Sequence, residues 1–172
     1  KDAEIGTYIL FQETYHKPTY ERLHVSGPKH NYNYHTTAMH RAREAGIDDI
    51  GMGVLYGLYD YKYETLAMLM HALDLEETTG VCTHKLSVPR LWPADNVSLE
   101  NYTYLVCYED FKKIVAILRL SVPYAGLILS TREEPTLRDE IIALGVSQVS
   151  TGSCTGVGGY SEAYHDPEEK PQ

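Results

Sequence analysis

Two side chains of opposite chemistry sit close together near the start of the chain. Glu13 and His16 close the string Phe11-Gln12-Glu13-Thr14-Tyr15-His16, directly after an apolar run. A carboxylate in that place can accept hydrogen bonds from a ribose or an ammonium group, or act as a base. The alternative is structural, with Glu13 and Thr14 meeting the orphan N–H groups of a helix start. Arg90, after Ser87-Val88-Pro89, and Arg132, after Leu129-Ser130-Thr131, are guanidiniums at the ends of apolar runs. Each has the fork geometry to hold a ligand carboxylate, or to pair with a neighbouring loop. His84 reads as a metal ligand or as a structural histidine. The glycine-rich run from Gly152 to Tyr160 lets backbone N–H groups approach a ligand, but it lacks the spacing and lysine of a nucleotide P-loop. Cys82, Cys107 and Cys154 are too far apart for a disulfide framework or a self-contained zinc site.

These residues need a scaffold. Five short runs rich in apolar or β-branched residues read as buried parallel strands: Thr7 to Gln12, Asp49 to Val54, Lys85 to Leu91, Gly126 to Thr131 and Gln148 to Thr151. Helical stretches separate them. Thr36 to Ala45 stops at Gly46 and Asp139 to Leu144 stops at Gly145, each glycine standing where a left-handed residue ends a helix. Tyr61 to Glu77 reads as a helix with Leu66, Met70 and Leu73 on its core face. Asp110 to Leu120 carries Phe111, Ile114, Val115 and Leu118 at helical spacing, with Lys112 and Lys113 outside. The repeating strand and helix units give an α/β fold with a parallel sheet. No glycine-rich first turn marks a doubly wound sheet. Polar residues at the ends of several strands, Glu13, Arg90, Arg132, Ser150 and Thr151, point to a TIM-type (β/α) barrel, of which the chain holds about five units.

Composition narrows the partners. The formal charge is -9, from 15 Lys and Arg against 24 Asp and Glu. That balance argues against duplex nucleic acid or an anionic membrane as partner and favours a small molecule or a protein. No apolar run is long enough to span a bilayer, and the polar start is not a signal peptide, so the chain reads as cytoplasmic. Fifteen Tyr against two Phe and one Trp suit wet clefts or interfaces, because each buried hydroxyl needs a partner.

The strings Phe11 to His16, Ala45 to Gly51, Leu58 to Lys62, Ser87 to Arg90, Leu129 to Glu133 and Gly152 to Tyr160, in this order, resemble the radical S-adenosylmethionine tyrosine lyases. Gly57 to Lys62, and His84 ahead of Ser87-Val88-Pro89-Arg90, favour the branch serving iron-iron hydrogenase maturation over the 2-iminoacetate branch of thiamine synthesis. The resemblance implies that a 4Fe-4S cluster cleaves S-adenosylmethionine to a radical, which takes hydrogen from tyrosine. Tyrosine then breaks at Cα–Cβ into p-cresol and dehydroglycine. A second iron-sulfur cluster, bearing an extra iron, turns the fragment into CO and cyanide. It further implies Glu13 and Tyr15 at the S-adenosylmethionine site, Arg132 on the tyrosine carboxylate and Ser150 or Thr151 at its amino group. Arg90 would belong to the same lining, and His84 would hold the extra iron.

The sequence departs from that family in lacking any C-x3-C-x2-C triplet. Residues 1–172 are therefore expected to form one partial radical S-adenosylmethionine barrel domain, strands four to eight, with the cluster-binding ends missing and no activity alone. Its expected partners are tyrosine, the missing parts of the same polypeptide and hydrogenase maturation proteins. A non-catalytic small-molecule binding module is the alternative from another class.

Overall fold

A computed structural model describes residues 5–93 and 99–150. Five strands form one sheet: β1 (Tyr8–Glu13), β2 (Ile50–Val54), β3 (Lys85–Ser87), β4 (Gly126–Ser130) and β5 (Gln148–Ser150). Every neighbouring pair is parallel, and the spatial order is the chain order. A doubly wound sheet reverses its direction of growth at a switch point. This one never does, which is the winding of a barrel.

Six helices connect the strands: α1 (Lys17–Leu23), α2 (Tyr32–Thr36), α3 (Ala38–Glu44), α4 (Tyr61–Thr79), α5 (Tyr108–Ser121) and α6 (Pro135–Ala143). Helices α3 to α6 touch in sequence as one layer. Right-handed crossovers between successive strands put them all on the same face. Strand side chains alternate accordingly. Ile50, Met52, Val54, Leu86, Val88, Leu127 and Leu129 enter the core beneath the helices. Gly51, Gly53, Lys85, Ser87, Ile128 and Ser130 fall on the opposite face, the one that a barrel of this winding turns inward as its wall.

That wall is tight at Gly53. A Cβ there would lie 2.8 Å from the Ser87 carbonyl oxygen and 3.0 Å from the Phe11 ring. Gly53→Ala is expected to lose about 1–3 kcal/mol of stability in urea unfolding, the usual cost of overpacking.

Several local readings change. The third strand closes at Ser87, short of Leu91, although an isolated parallel bridge joins Tyr56 to Arg90 beyond it. The Thr36 to Ala45 stretch belongs to two helices, α2 and α3, and α1 carried no periodic signal. Gly46 and Gly145 do take left-handed φ, +81° and +121°. The largest correction concerns α4. Leu66, Met70 and Leu73 are exposed, whereas Met68, Ala72 and Leu75 are buried with Glu64 and Thr65. The helix is apolar on both sides, so periodicity did not choose between faces. Polar anchors did: buried Glu64 accepts from the Thr14 hydroxyl and from the Tyr15 backbone N–H at 2.8 Å, and Thr65 Oγ1 meets Tyr56 Oη at 3.1 Å. On α5, Phe111, Ile114, Val115 and Leu118 are all buried as expected.

Candidate functional site

Parallel strands deliver their ends to two opposite rims. The C-terminal rim begins at Glu13, where the register with β2 is irregular between Phe11 and Glu13. Glu13 has φ +68°, left-handed for a residue with a Cβ. Such strain persists only where the surroundings enforce it, and strand-end irregularities re-aim side chains. The Oε1 atom of Glu13 pairs with Lys29 Nζ, while among the described residues Oε2 has no partner. Glu13 thus does not cap the helix that follows. His16 occupies the N-cap position of α1, its Nδ1 lies 2.8 Å from Thr19 Oγ1, and its ring stacks on Tyr59 at 3.7 Å.

Tyr15 is buried, with its hydroxyl 2.7 Å from His71 Nδ1. Burial and the nearby Glu64 charge push the phenol's pKa well up. Burial and the His40 charge push His71 down to about 4. Both groups are therefore neutral near pH 7, and the phenol donates. Glu64, which sequence reasoning missed, fixes the Thr14-Tyr15 turn from below; burial raises its pKa against its hydrogen bonds to Thr14, Tyr15 and His16.

The two arginines differ. Arg90 is 6% exposed and turned into the helix layer, within 4.9–5.3 Å of the Phe111, Tyr108 and Trp92 rings. Its Nε donates to Glu133 Oε1 at 3.0 Å, its Nη2 pairs with Glu133 Oε2, and its Nη1 donates to the Val106 carbonyl at 2.8 Å. The carboxylate it holds in this structure belongs to the β4–α6 loop. Arg132, one residue before Glu133, makes no side-chain hydrogen bond or ion pair among the described residues, and its Nε is buried without a partner. Next to it, Ser150 on β5 registers with Ser130, and its hydroxyl donates to the Leu129 carbonyl at 3.4 Å. Thr151, Cys154 and the glycine-rich run to Tyr160 lie outside the described residues.

His84 lies at the other rim, immediately before β3. Neighbouring strands hold its backbone: its N–H donates to Ile50 O at 3.0 Å, and its carbonyl accepts from Gly126 N–H at 2.8 Å. Beside it Asp49 accepts from the Thr7 hydroxyl and from Lys85 Nζ at 2.7 Å through Oδ2. The other oxygen, Oδ1, is buried without a hydrogen bond, 3.6 Å from His84 Nδ1. Burial tends to raise the Asp49 pKa, but the hydrogen bonds from Lys85 and Thr7 and the nearby positive charge outweigh it, leaving it lowered. Sequence reasoning missed this cluster, whose members lie at the starts of three neighbouring strands. Among the described residues no group of three or more His, Cys, Asp or Glu is gathered to hold a metal ion, and no helix is long and apolar enough to cross a membrane.

Comparison with known proteins agrees with this arrangement. Residues 87–167 match the Biotin and Thiamin Synthesis associated domain. The chain is 34% identical to the 2-iminoacetate synthase of Escherichia coli K12 and 32% identical to that of Salmonella typhimurium LT2, in each case over 98% of this chain and 45% of the relative. It superimposes on a crystal structure of HydG, a maturase of the [FeFe]-hydrogenase, with TM-score 0.89 and 64% identity over 95% of this chain and 36% of that one. The HydG of Carboxydothermus hydrogenoformans gives TM-score 0.85 and 50% identity over 92% of this chain and 37% of that one. The chain thus spans under half the length of each of these proteins. With strands wound in barrel order and sequence likeness along nearly its whole length, the chain is similar to a part of the HydG and 2-iminoacetate synthase proteins.

Proposed function

We propose that residues 1–172 are one partial barrel domain of a cytoplasmic tyrosine lyase that serves iron-iron hydrogenase maturation. The observation that carries this reading is Arg132: a strand-end guanidinium with a buried, unpartnered Nε, beside serines of β4 and β5. It is free to take the tyrosine carboxylate bidentately, with Ser150 or Thr151 at the amino group. Arg90 serves the same lining by holding Glu133, and with it the loop that carries Arg132. Glu13, whose Oε2 is uncommitted, and Tyr15 border the S-adenosylmethionine site. The higher identity to HydG than to the 2-iminoacetate synthases supports the hydrogenase branch over thiamine synthesis. Missing parts of the same polypeptide and other hydrogenase maturation proteins are the proposed partners.

The described residues do not fit a 4Fe-4S cluster, because no ligand cluster is gathered among them. Its cysteines belong to another part of the polypeptide. They do fit one ligand to the extra iron of a second cluster: His84 is half-exposed, and the buried Asp49 Oδ1 beside it is an orphan acceptor. When bound, the first cluster and S-adenosylmethionine supply the radical. What this chain supplies is the grip on the tyrosine carboxylate.

The test uses the complete polypeptide with its clusters reconstituted. The parent should release p-cresol from tyrosine. Arg132→Ala should weaken tyrosine binding about 10-fold to 100-fold, the worth of a charged hydrogen-bonded pair, and Arg132→Lys should recover part of it. Unchanged tyrosine affinity in Arg132→Ala would remove the carboxylate assignment.

A further inference from the structure

We propose that Asp49 is a positioning residue for His84, orienting the imidazole so that Nε2 is the nitrogen offered to iron. The inference rests on the reading of His84 as an iron ligand and goes one step beyond it. Asp49 is anchored at one oxygen only. Oδ2 is taken by Thr7 and Lys85, and Oδ1 is buried, unpartnered and 3.6 Å from His84 Nδ1. A buried acceptor without a donor is costly, and the imidazole N–H is the donor placed to satisfy it. Rotation of the half-exposed His84 side chain closes the gap while its backbone stays fixed between Ile50 and Gly126. With Nδ1–H given to the carboxylate, the tautomer is set and the Nε2 lone pair points away from it. Carboxylates orient metal-binding histidines in this manner, and losing such a partner typically lowers metal affinity 10-fold to 100-fold. Lys85 alone is enough to keep Oδ2 occupied and Oδ1 facing the imidazole, so the Thr7 hydroxyl is a second, dispensable hold on Oδ2.

Four variants of the complete polypeptide test this, each loaded with its sulfur-ligated clusters and titrated with ferrous iron. The readouts are the electron paramagnetic resonance signal of the iron-extended cluster and the iron bound per polypeptide. His84→Ala should abolish the extra-iron signal. Asp49→Asn should raise the ferrous iron needed for half-saturation about 10-fold to 100-fold. Asp49→Glu should lie nearer the parent, and Thr7→Val, which leaves Oδ1 and His84 in place, should titrate like the parent. If His84→Ala loses the signal while Asp49→Asn titrates like the parent, the positioning role is wrong and the His84 ligand survives. An equal shift in Thr7→Val and Asp49→Asn would make the effect a general loosening of the rim and overturn the proposal. A retained signal in His84→Ala would remove the ligand assignment, and the Asp49 role with it.

Discussion

Glu133→Ala is expected to cost about 3–5 kcal/mol of folding stability, because it strands a buried guanidinium. Arg90 and Glu133 have side chains 7% and 1% exposed, and the pair is bidentate. Removing the carboxylate leaves Arg90 among Phe111, Tyr108 and Trp92 with only the Val106 carbonyl as acceptor. The aromatic faces return a part of the lost attraction, not all of it. Urea unfolding measures the difference, and a loss below about 1 kcal/mol would mean that water reaches the guanidinium. Replacing both partners together, Arg90→Met with Glu133→Leu, should be far milder than either single change, since a buried ion pair is often no better than well-packed apolar residues. The pair also ties the segment after β3 to the loop after β4. Glu133→Ala should therefore weaken tyrosine binding through Arg132, its neighbour in that loop, and the double variant should share this defect. Stability and binding separate there, which distinguishes a strut for the substrate site from a mere weld of the core.

The strands were legible because parallel strands covered on both faces keep an apolar, β-branched composition that few other elements share. The Gly46 and Gly145 stops were legible for a similarly local reason, the left-handed φ that only glycine takes freely. What escaped was long-range. Arg90 and Glu133 are 43 residues apart, and nothing in either neighbourhood names the other. Glu64 was hidden because a carboxylate one turn into a helix normally reads as solvated or as helping the helix dipole. Its burial follows only once the Thr14-Tyr15 turn is seen above it. The same fact misassigned the core face of α4, where apolar residues occupy both sides and two polar anchors decide. Glu13 and Arg132 stand at the C-terminal ends of their strands while Arg90 turns into the helix layer, and His84 precedes its strand, so it and Asp49 stand at the rim opposite Glu13 and Arg132.

Acid should weaken the fold through His71. Burial holds its pKa near 4, against an ordinary value of 6.5, so the unfolded chain binds a proton that the folded one refuses. The sign is therefore definite: the contribution is intact above pH 6.5 and is lost as pH falls from 6.5 toward 4. A gap of about 2.5 units amounts to roughly 3 kcal/mol by the bottom of that window. The structural cause is burial, to which the His40 charge adds, and the Tyr15 phenol donating to Nδ1 suits an unprotonated acceptor there. The opposite nitrogen, Nε2, is buried without a hydrogen bond, and His40 stacks on the ring at 5.6 Å, so an added charge finds no partner. Unfolding free energy measured at pH 7 and pH 4.5 should show the decline, and His71→Gln should flatten it while costing some stability at pH 7. Glu64 works in the other direction, since its raised pKa means that protonation between the raised value and 4.5 relieves a buried charge. Glu64→Gln should therefore deepen the acid loss, and the two variants with opposite slopes separate the histidine from the carboxylate beneath the same turn. A Glu64→Gln variant whose stability is flat between pH 6.5 and pH 4 would show that His71 takes up its proton in the folded state, and that the Tyr15 hydroxyl has another acceptor.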